Sequence, residues 1–169
     1  MDLQQLRATQ APIKDSYRTE PAAARITLHA KGTLDGEDIV CSIDTGRALV
    51  AAGLHPATGG DEFHACSGDM LLQALAACAG VTLRSVATSM ELSVSGTVDV
   101  EGDLDFRGTL GMDKEAAVGF QAIRMAFNLQ SDATEDQLDT LIRLTERYCV
   151  VFQTLAGGVA VDTSRSVVG

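Results

Sequence analysis

A thiol can attack an electrophile, ligate a metal or pack as a small apolar group, and its surroundings decide which. This chain of 169 residues has four cysteines, Cys41, Cys66, Cys78 and Cys149, none of them in a Cys-x-x-Cys pair. Cys78 stands in Leu75-Ala76-Ala77-Cys78-Ala79-Gly80, and Cys149 in Glu146-Arg147-Tyr148-Cys149-Val150-Val151. Read by composition alone, each is buried filler, because a free cysteine among Ala, Leu and Val behaves as a small hydrophobe. Reactivity would require a nearby cation or hydrogen-bond donors, since an apolar setting raises a thiol's pKa. His64 and Cys66 stand close in sequence, but a zinc site asks for three or four ligands at ordered spacing, so no metal is expected there. His55, His64 and the Gly-rich loop between them either line an entrance to Cys78 or make an ordinary turn.

The elements that would carry these residues follow from hydrophobic period. Ile26, Leu28 and Ala30 alternate, as do Ile39, Cys41 and Ile43, and turns at 32–36 and 44–46 make this stretch an antiparallel meander. Leu71, Leu72, Leu75, Ala76, Cys78, Ala79 and Leu83 leave almost no polar face, which predicts a helix covered on all sides, with Ser67 as its cap and Asp69 in its first turn. Met70 to Val86 is too short and too interrupted by Gln73, Arg84 and Ser85 to read as a membrane span. Period two returns at Leu92, Val94, Val98 and Val100, at Leu104 and Phe106, and from Ile123 to Leu129. A second helix opens at Thr134, with Gln137 at capping-box spacing, and Cys149 lies at its end. A further helical segment reaches Gly157-Gly158, and Val159 to Thr163 reads as a last short strand.

Composition narrows the class. With 46% apolar residues the chain has ample material for one core. A net charge of -10 excludes polyphosphate binding by clustered Lys and Arg, so no nucleic-acid partner is expected. There is no glycine-rich phosphate-binding turn. Residues 1–24 read as a loose N-terminal arm without a secretory pattern, and 25–169 as a single domain. The few, unpaired cysteines suit a reducing compartment, the cytoplasm.

The segment from Cys66 to Gly80, with an acidic residue near the helix start and a cysteine about two and a half turns on, resembles the central helix of the OsmC/Ohr family (osmotically inducible and organic hydroperoxide resistance proteins). Cys149, 71 residues after Cys78, stands where that family has its second cysteine. The resemblance covers about residues 25 to 165. It implies an α+β fold of antiparallel sheets and two main helices, one a long buried central helix, in an intertwined homodimer with two interfacial sites. It also implies a thiol peroxidase reducing alkyl or lipid hydroperoxides without metal, flavin or other cofactor: Cys78 attacks, Cys149 resolves and an external dithiol restores both. The family holds its thiolate with an Arg fixed by a helix-start carboxylate. Asp69 takes the carboxylate position, one methylene shorter than the usual Glu, and Arg47, with Arg25 next, is the candidate cation. Val150 stands where the family often has Pro. The rival readings are an OsmC-type redox-sensing or small-molecule-binding protein without turnover, and a structural dimer with inert cysteines.

Overall fold

The computed structural model describes residues 3–34, 42–43, 52–60 and 65–165. In chain order the elements are α1 (Leu3–Thr19), β1 (Arg25–Leu34), β2 (Ser42–Ile43), β3 (Ala52–Gly53), β4 (Ala65–Cys66), α2 (Ser67–Ser89), β5 (Ser95–Asp105), α3 (Phe106–Thr109), β6 (Ala122–Gln130), α4 (Glu135–Tyr148) and α5 (Val150–Gly157), with short 3-10 turns at Pro21–Ala24 and Pro56–Thr58.

Residues 3–19, where the sequence suggested an arm without fixed structure, are helical. Few apolar side chains signal this helix, but Ile13 and Tyr17 are four apart and share a face. Tyr17 is buried, and its hydroxyl donates to the Ala57 carbonyl at 2.6 Å. Two anchoring residues are enough to dock a helix and too few to make a clear hydrophobic period.

β1, β5 and β6 form an antiparallel sheet with β2 at one edge, in the order β2-β1-β5-β6. The period-two reading holds along β5, where Val98, Val100 and Leu104 are buried, and along β6, where Ile123, Met125, Phe127 and Leu129 are half-buried. The opposite face is polar: Arg124 pairs with Glu101 and Asp103, and Asn128 donates to Asp99 at 2.6 Å. Gly102 is needed on β5 because a Cβ there would stand 2.4 Å from the Phe120 ring. Phe106, read as strand, instead opens α3. The cause is Asp105, whose carboxylate accepts the Arg107 backbone N–H at 3.1 Å and caps the turn. β3 and β4 pair in parallel, apart from this sheet.

α2 lies on the sheet and also packs against α4 and α5. Leu72, Leu75, Ala76, Ala79, Leu83 and Ala87 recur at three- and four-residue spacing and are all buried. Its 23 residues, with mean hydropathy 1.5 over the most apolar window, are long and apolar enough by length and composition to cross a membrane, but its buried stripe is that of a core helix. The cap differs from expectation: Cys66 is the capping residue, makes no side-chain cap bond, and Ser67 is already helical. Burial is also less complete than expected, because Met70, Leu71 and Val81 remain exposed in the single chain.

α4 starts as read, with the reciprocal Thr134 and Gln137 capping box. Leu141, Thr145 and Cys149 follow at four-residue spacing, all with 0% exposure. α5 ends at Gly158 with φ 60, a left-handed stop that glycine adopts readily. Residues 159–165 form no strand; Val159 and Val161 are exposed, and alternation alone, without pairing to a neighbouring strand, does not make one. The architecture is thus a mixed α/β fold on an antiparallel sheet, with α1 as a third long helix beside the two expected ones.

Candidate active site

Cys78 sits half-buried in the middle of α2, and Cys149 is fully buried in the junction between α4 and α5. α4 stops because Cys149 turns to an extended conformation, φ -71 and ψ 109, and the chain re-enters a helix at Val150. That junction brings the Cys149 and Cys78 thiols near enough to shift each other's pKa, and both thiols are free. It also aims the first N–H groups of α5 at the pair. The Phe152 N–H donates to the Cys149 sulfur at 3.4 Å, and the Val150 and Val151 N–H groups act on the Cys78 sulfur to lower its pKa. Thr82, one turn after Cys78 on α2, adds a hydroxyl.

The two thiols are driven apart electrostatically. Burial pushes the Cys78 pKa up, but the Val151 N–H, the Cys149 thiol, the Val150 N–H and the Thr82 hydroxyl outweigh it and leave the pKa below its ordinary value. Cys149 is pushed up to about 11, first by burial and then by its neighbour Cys78, with the Phe152 and Val151 N–H groups opposing. Ionisation therefore falls on Cys78, and Cys149 keeps its proton and donates it. A thiol that ionises first beside one that holds its proton is the order that attack followed by resolution requires.

Leu75 and Thr82 flank Cys78 on α2, and each borders a groove. One, about 370 Å³, is lined by Leu75, Phe120, Ile123, Met125, Phe152 and Leu155, with Gln121 and Glu146 among its polar groups. Another, about 480 Å³, is lined by Val81, Thr82, Val86, Met90, Leu144 and Tyr148 together with Ser85 and Ser89. Both grooves are mainly apolar, and the walls of each are made by neighbours of the two cysteines and not by the cysteines themselves.

A protein-family model described as OsmC-like protein matches residues 59–164, a span that holds both cysteines. The chain belongs to the OsmC-like family. Its fold is similar to the crystal structure of an OsmC-like hydroperoxide resistance protein from Jannaschia sp. CCS1, with TM-score 0.59, 17% identity and coverage of 86% of this chain and 95% of that one. No curated protein matches the chain.

In this OsmC-like chain the helix-start carboxylate is not at the sulfurs. Asp69 lies in the first turn of α2, nine helical residues and about 13.5 Å of rise before Cys78. It stands near His55 instead, whose ring stacks on Phe106 at 5.0 Å and whose Nδ1 accepts the Ala57 N–H at 3.0 Å. Burial lowers the His55 pKa, and the Asp69 charge opposes that shift. Arg47, Cys41 and His64 lie outside the described residues. Arg25 reaches Asp105 at 3.9 Å, and Arg107 pairs with the same buried carboxylate at 2.6 Å and with Asp113 at 3.3 Å. Cys66 is half-buried at the start of α2, and Tyr148 is exposed with the Arg147 guanidinium 5.5 Å from its ring centre. Among the described residues no three His, Cys, Asp or Glu side chains converge in a way that could hold a metal ion.

Sequence reading missed the donors that do surround Cys78. The four-residue spacing of Cys78 and Thr82 was the available signal for the hydroxyl. The Val150 and Val151 N–H groups have no side-chain signature; the helical segment expected from Cys149 to Leu155 was the available signal, and its nearness to Cys78 was not.

Proposed function

We propose that this OsmC-like chain is a thiol peroxidase that reduces organic hydroperoxides, alkyl or lipid, at the expense of a dithiol. The observation that carries this reading is the contact between Cys78, with its pKa lowered, and Cys149, with its pKa raised to about 11. The Cys78 thiolate attacks the terminal peroxide oxygen, the O–O bond breaks, and the alkoxide leaves and takes up a proton as the alcohol. The sulfur is oxidised to a sulfenic acid. The Cys149 thiol then condenses with it, an S–S bond forms and water leaves. A dithiol reduces the disulfide by exchange and is itself oxidised to a disulfide. No step calls for a metal or flavin. The family match and the hydroperoxide resistance named for the Jannaschia protein support the substrate class. Arg47 and Asp69 remain the family-based proposal for a further charge on the thiolate, with Asp69 acting through an Arg or on a partner's site. Working as a homodimer in the reducing cytoplasm completes the reading.

The test is consumption of cumene hydroperoxide, a lipid hydroperoxide and hydrogen peroxide with several dithiols. Cys78→Ser is expected to abolish reduction, whereas Cys149→Ser consumes about one equivalent per site and stops. Wild-type rates in Cys78→Ser would sink the assignment. A single oxidation without turnover in the wild-type protein under every dithiol would favour a redox sensor instead.

A further inference from the structure

A single 3-10 turn has few hydrogen bonds of its own, so its cap decides whether it holds. His55 precedes the turn at Pro56–Thr58, and its ring Nδ1 accepts the Ala57 N–H at 3.0 Å. Asn and Asp usually make this bond to the N–H two residues on, through an oxygen that does not titrate near neutrality. An imidazole nitrogen accepts only while it is unprotonated, so here the ring is neutral with its proton on Nε2. The ring is also fixed from outside the turn, stacked on Phe106 at 5.0 Å with 29° between the planes. Helix α1 closes on the same three residues. The Tyr17 hydroxyl donates to the Ala57 carbonyl at 2.6 Å, Gln10 Nε2 donates to the Thr58 carbonyl at 3.4 Å, and a Cβ on Gly59 would stand 2.7 Å from Thr9 Cγ2. Ala57 is therefore held through its N–H by His55 and through its carbonyl by α1.

We propose that His55 is the titrating end of a latch for the N-terminal helix: the neutral ring holds the 56–58 turn in the shape that α1 clasps, and protonation of Nδ1 releases the Ala57 N–H and loosens α1. The inference goes beyond the thiol chemistry and does not rest on it. A protonated Nδ1 is a donor, so it would face the Ala57 N–H donor to donor and leave that N–H without its acceptor. Among the described residues, the titratable and charged groups around the ring are Asp69 on α2, Tyr17 on α1, and Asp105 with Arg107 at the corner that carries Phe106. Asp105 and Arg107 neutralise each other in an ion pair at 2.6 Å. Burial, with the Asp105 charge, raises the Tyr17 pKa, so its hydroxyl keeps its proton throughout. Burial lowers the docked His55 pKa and the Asp69 charge opposes it. A folded pKa below the free value of about 6.5 means that docking is at full strength above that pH and weakens as pH falls through the lower docked value.

Hydrogen–deuterium exchange of the full chain reads docking directly, followed by mass spectrometry on peptides covering residues 3–19 and corrected at each pH for the chemical exchange rate. Between about pH 8 and pH 5, wild-type α1 is expected to lose protection about three- to tenfold, the range that one net hydrogen bond supplies, while peptides from β5 keep theirs. His55→Asn places at the same position an acceptor oxygen that does not titrate in this window, and its α1 protection is expected to be flat with pH. His55→Phe keeps a ring to stack on Phe106 but has no acceptor, and is expected to be flat at the low level that wild type reaches in acid. Each variant removes the titration, so either alone decides the question should the other not fold. Wild-type protection that does not change with pH would overturn the proposal, as would a pH dependence that survives in either variant. An equal loss in the β5 peptides would also overturn it, because the whole fold would then be opening and not the latch.

Discussion

At the scale of single residues, the separation of the two thiols needs no cation among the described residues, since hydrogen bonds to Cys78 outweigh its burial. Asp69 belongs to a different neighbourhood. Its negative charge raises the His55 pKa against the lowering effect of burial, so Asp69→Asn is expected to move the His55 titration to lower pH. The same variant should leave Cys78 alkylation unchanged within one chain, because about 13.5 Å of helix separates the groups. Proton NMR of the imidazole, together with the alkylation profile, reads both. An altered Cys78 profile would mean that Asp69 acts on the thiolate through an Arg or across an interface, as the family resemblance implies.

At the scale of elements, the start of α5 lowers the Cys78 pKa with backbone N–H groups and no charged side chain. Val150 is its first helical position, and Cys149 before it is already extended, which are the two conditions that proline tolerates. Val150→Pro is therefore expected to fold with stability within about 1 kcal/mol of wild type, measured by chemical denaturation. It removes one N–H from Cys78, so the alkylation midpoint should rise. A large loss of stability would show that the junction is more constrained than its dihedral angles indicate. The β5–α3 corner depends on Asp105 in a comparable way. Hydrogen bonds from Arg107 hold its pKa below the ordinary carboxylate value, against burial, with the Arg107 and Arg25 charges assisting. A carboxylate with a depressed folded pKa stabilises the fold above its unfolded pKa of about 4 and loses that contribution as pH falls through the lower folded value. Asp105→Asn should accordingly lower Tm at neutral pH and flatten the acid side of the stability profile. An unchanged profile in thermal melts from pH 2 to 7 would contradict this account.

At the scale of the whole molecule, the open side of α2 demands an explanation. Met70, Leu71 and Val81 are 38%, 36% and 39% exposed, and Val150 beside the site is 71% exposed. An apolar surface of this kind beside a reactive thiol fits a subunit interface, and the homodimer proposed above would cover it. Val81→Glu places a charge on that surface without disturbing the buried stripe. It is expected to convert a dimer to a monomer in sedimentation velocity at micromolar concentration while far-UV circular dichroism stays unchanged. A wild-type monomer would remove the interface from the reading.

The sequence by itself determined the α2 period, the capping box at Thr134, the strand alternation of β5 and β6, and the glycine stop after α5, because each is written in local spacing that only one kind of element satisfies. Cys78 and Cys149 were singled out by the family resemblance of the segments that carry them, since composition alone reads both as filler. Helix α1 was not legible, since among its described side chains the apolar anchors Ile13 and Tyr17 are too few to make a period. Nor was the end of β5 at Phe106, where the Asp105 cap overrides alternation, or the failure of 159–163 to become a strand, which depends on whether the packed chain brings the segment to a strand it can pair with. Tertiary structure decided the chemistry of the pair. Residues 71 positions apart come together because α4 ends against α2, and two of the four groups that lower the Cys78 pKa are backbone N–H groups of α5, whose helical character the sequence indicated but whose approach to Cys78 it did not. Sequence records which groups exist, whereas ionisation depends on their distances and burial, and those are properties of the packed chain.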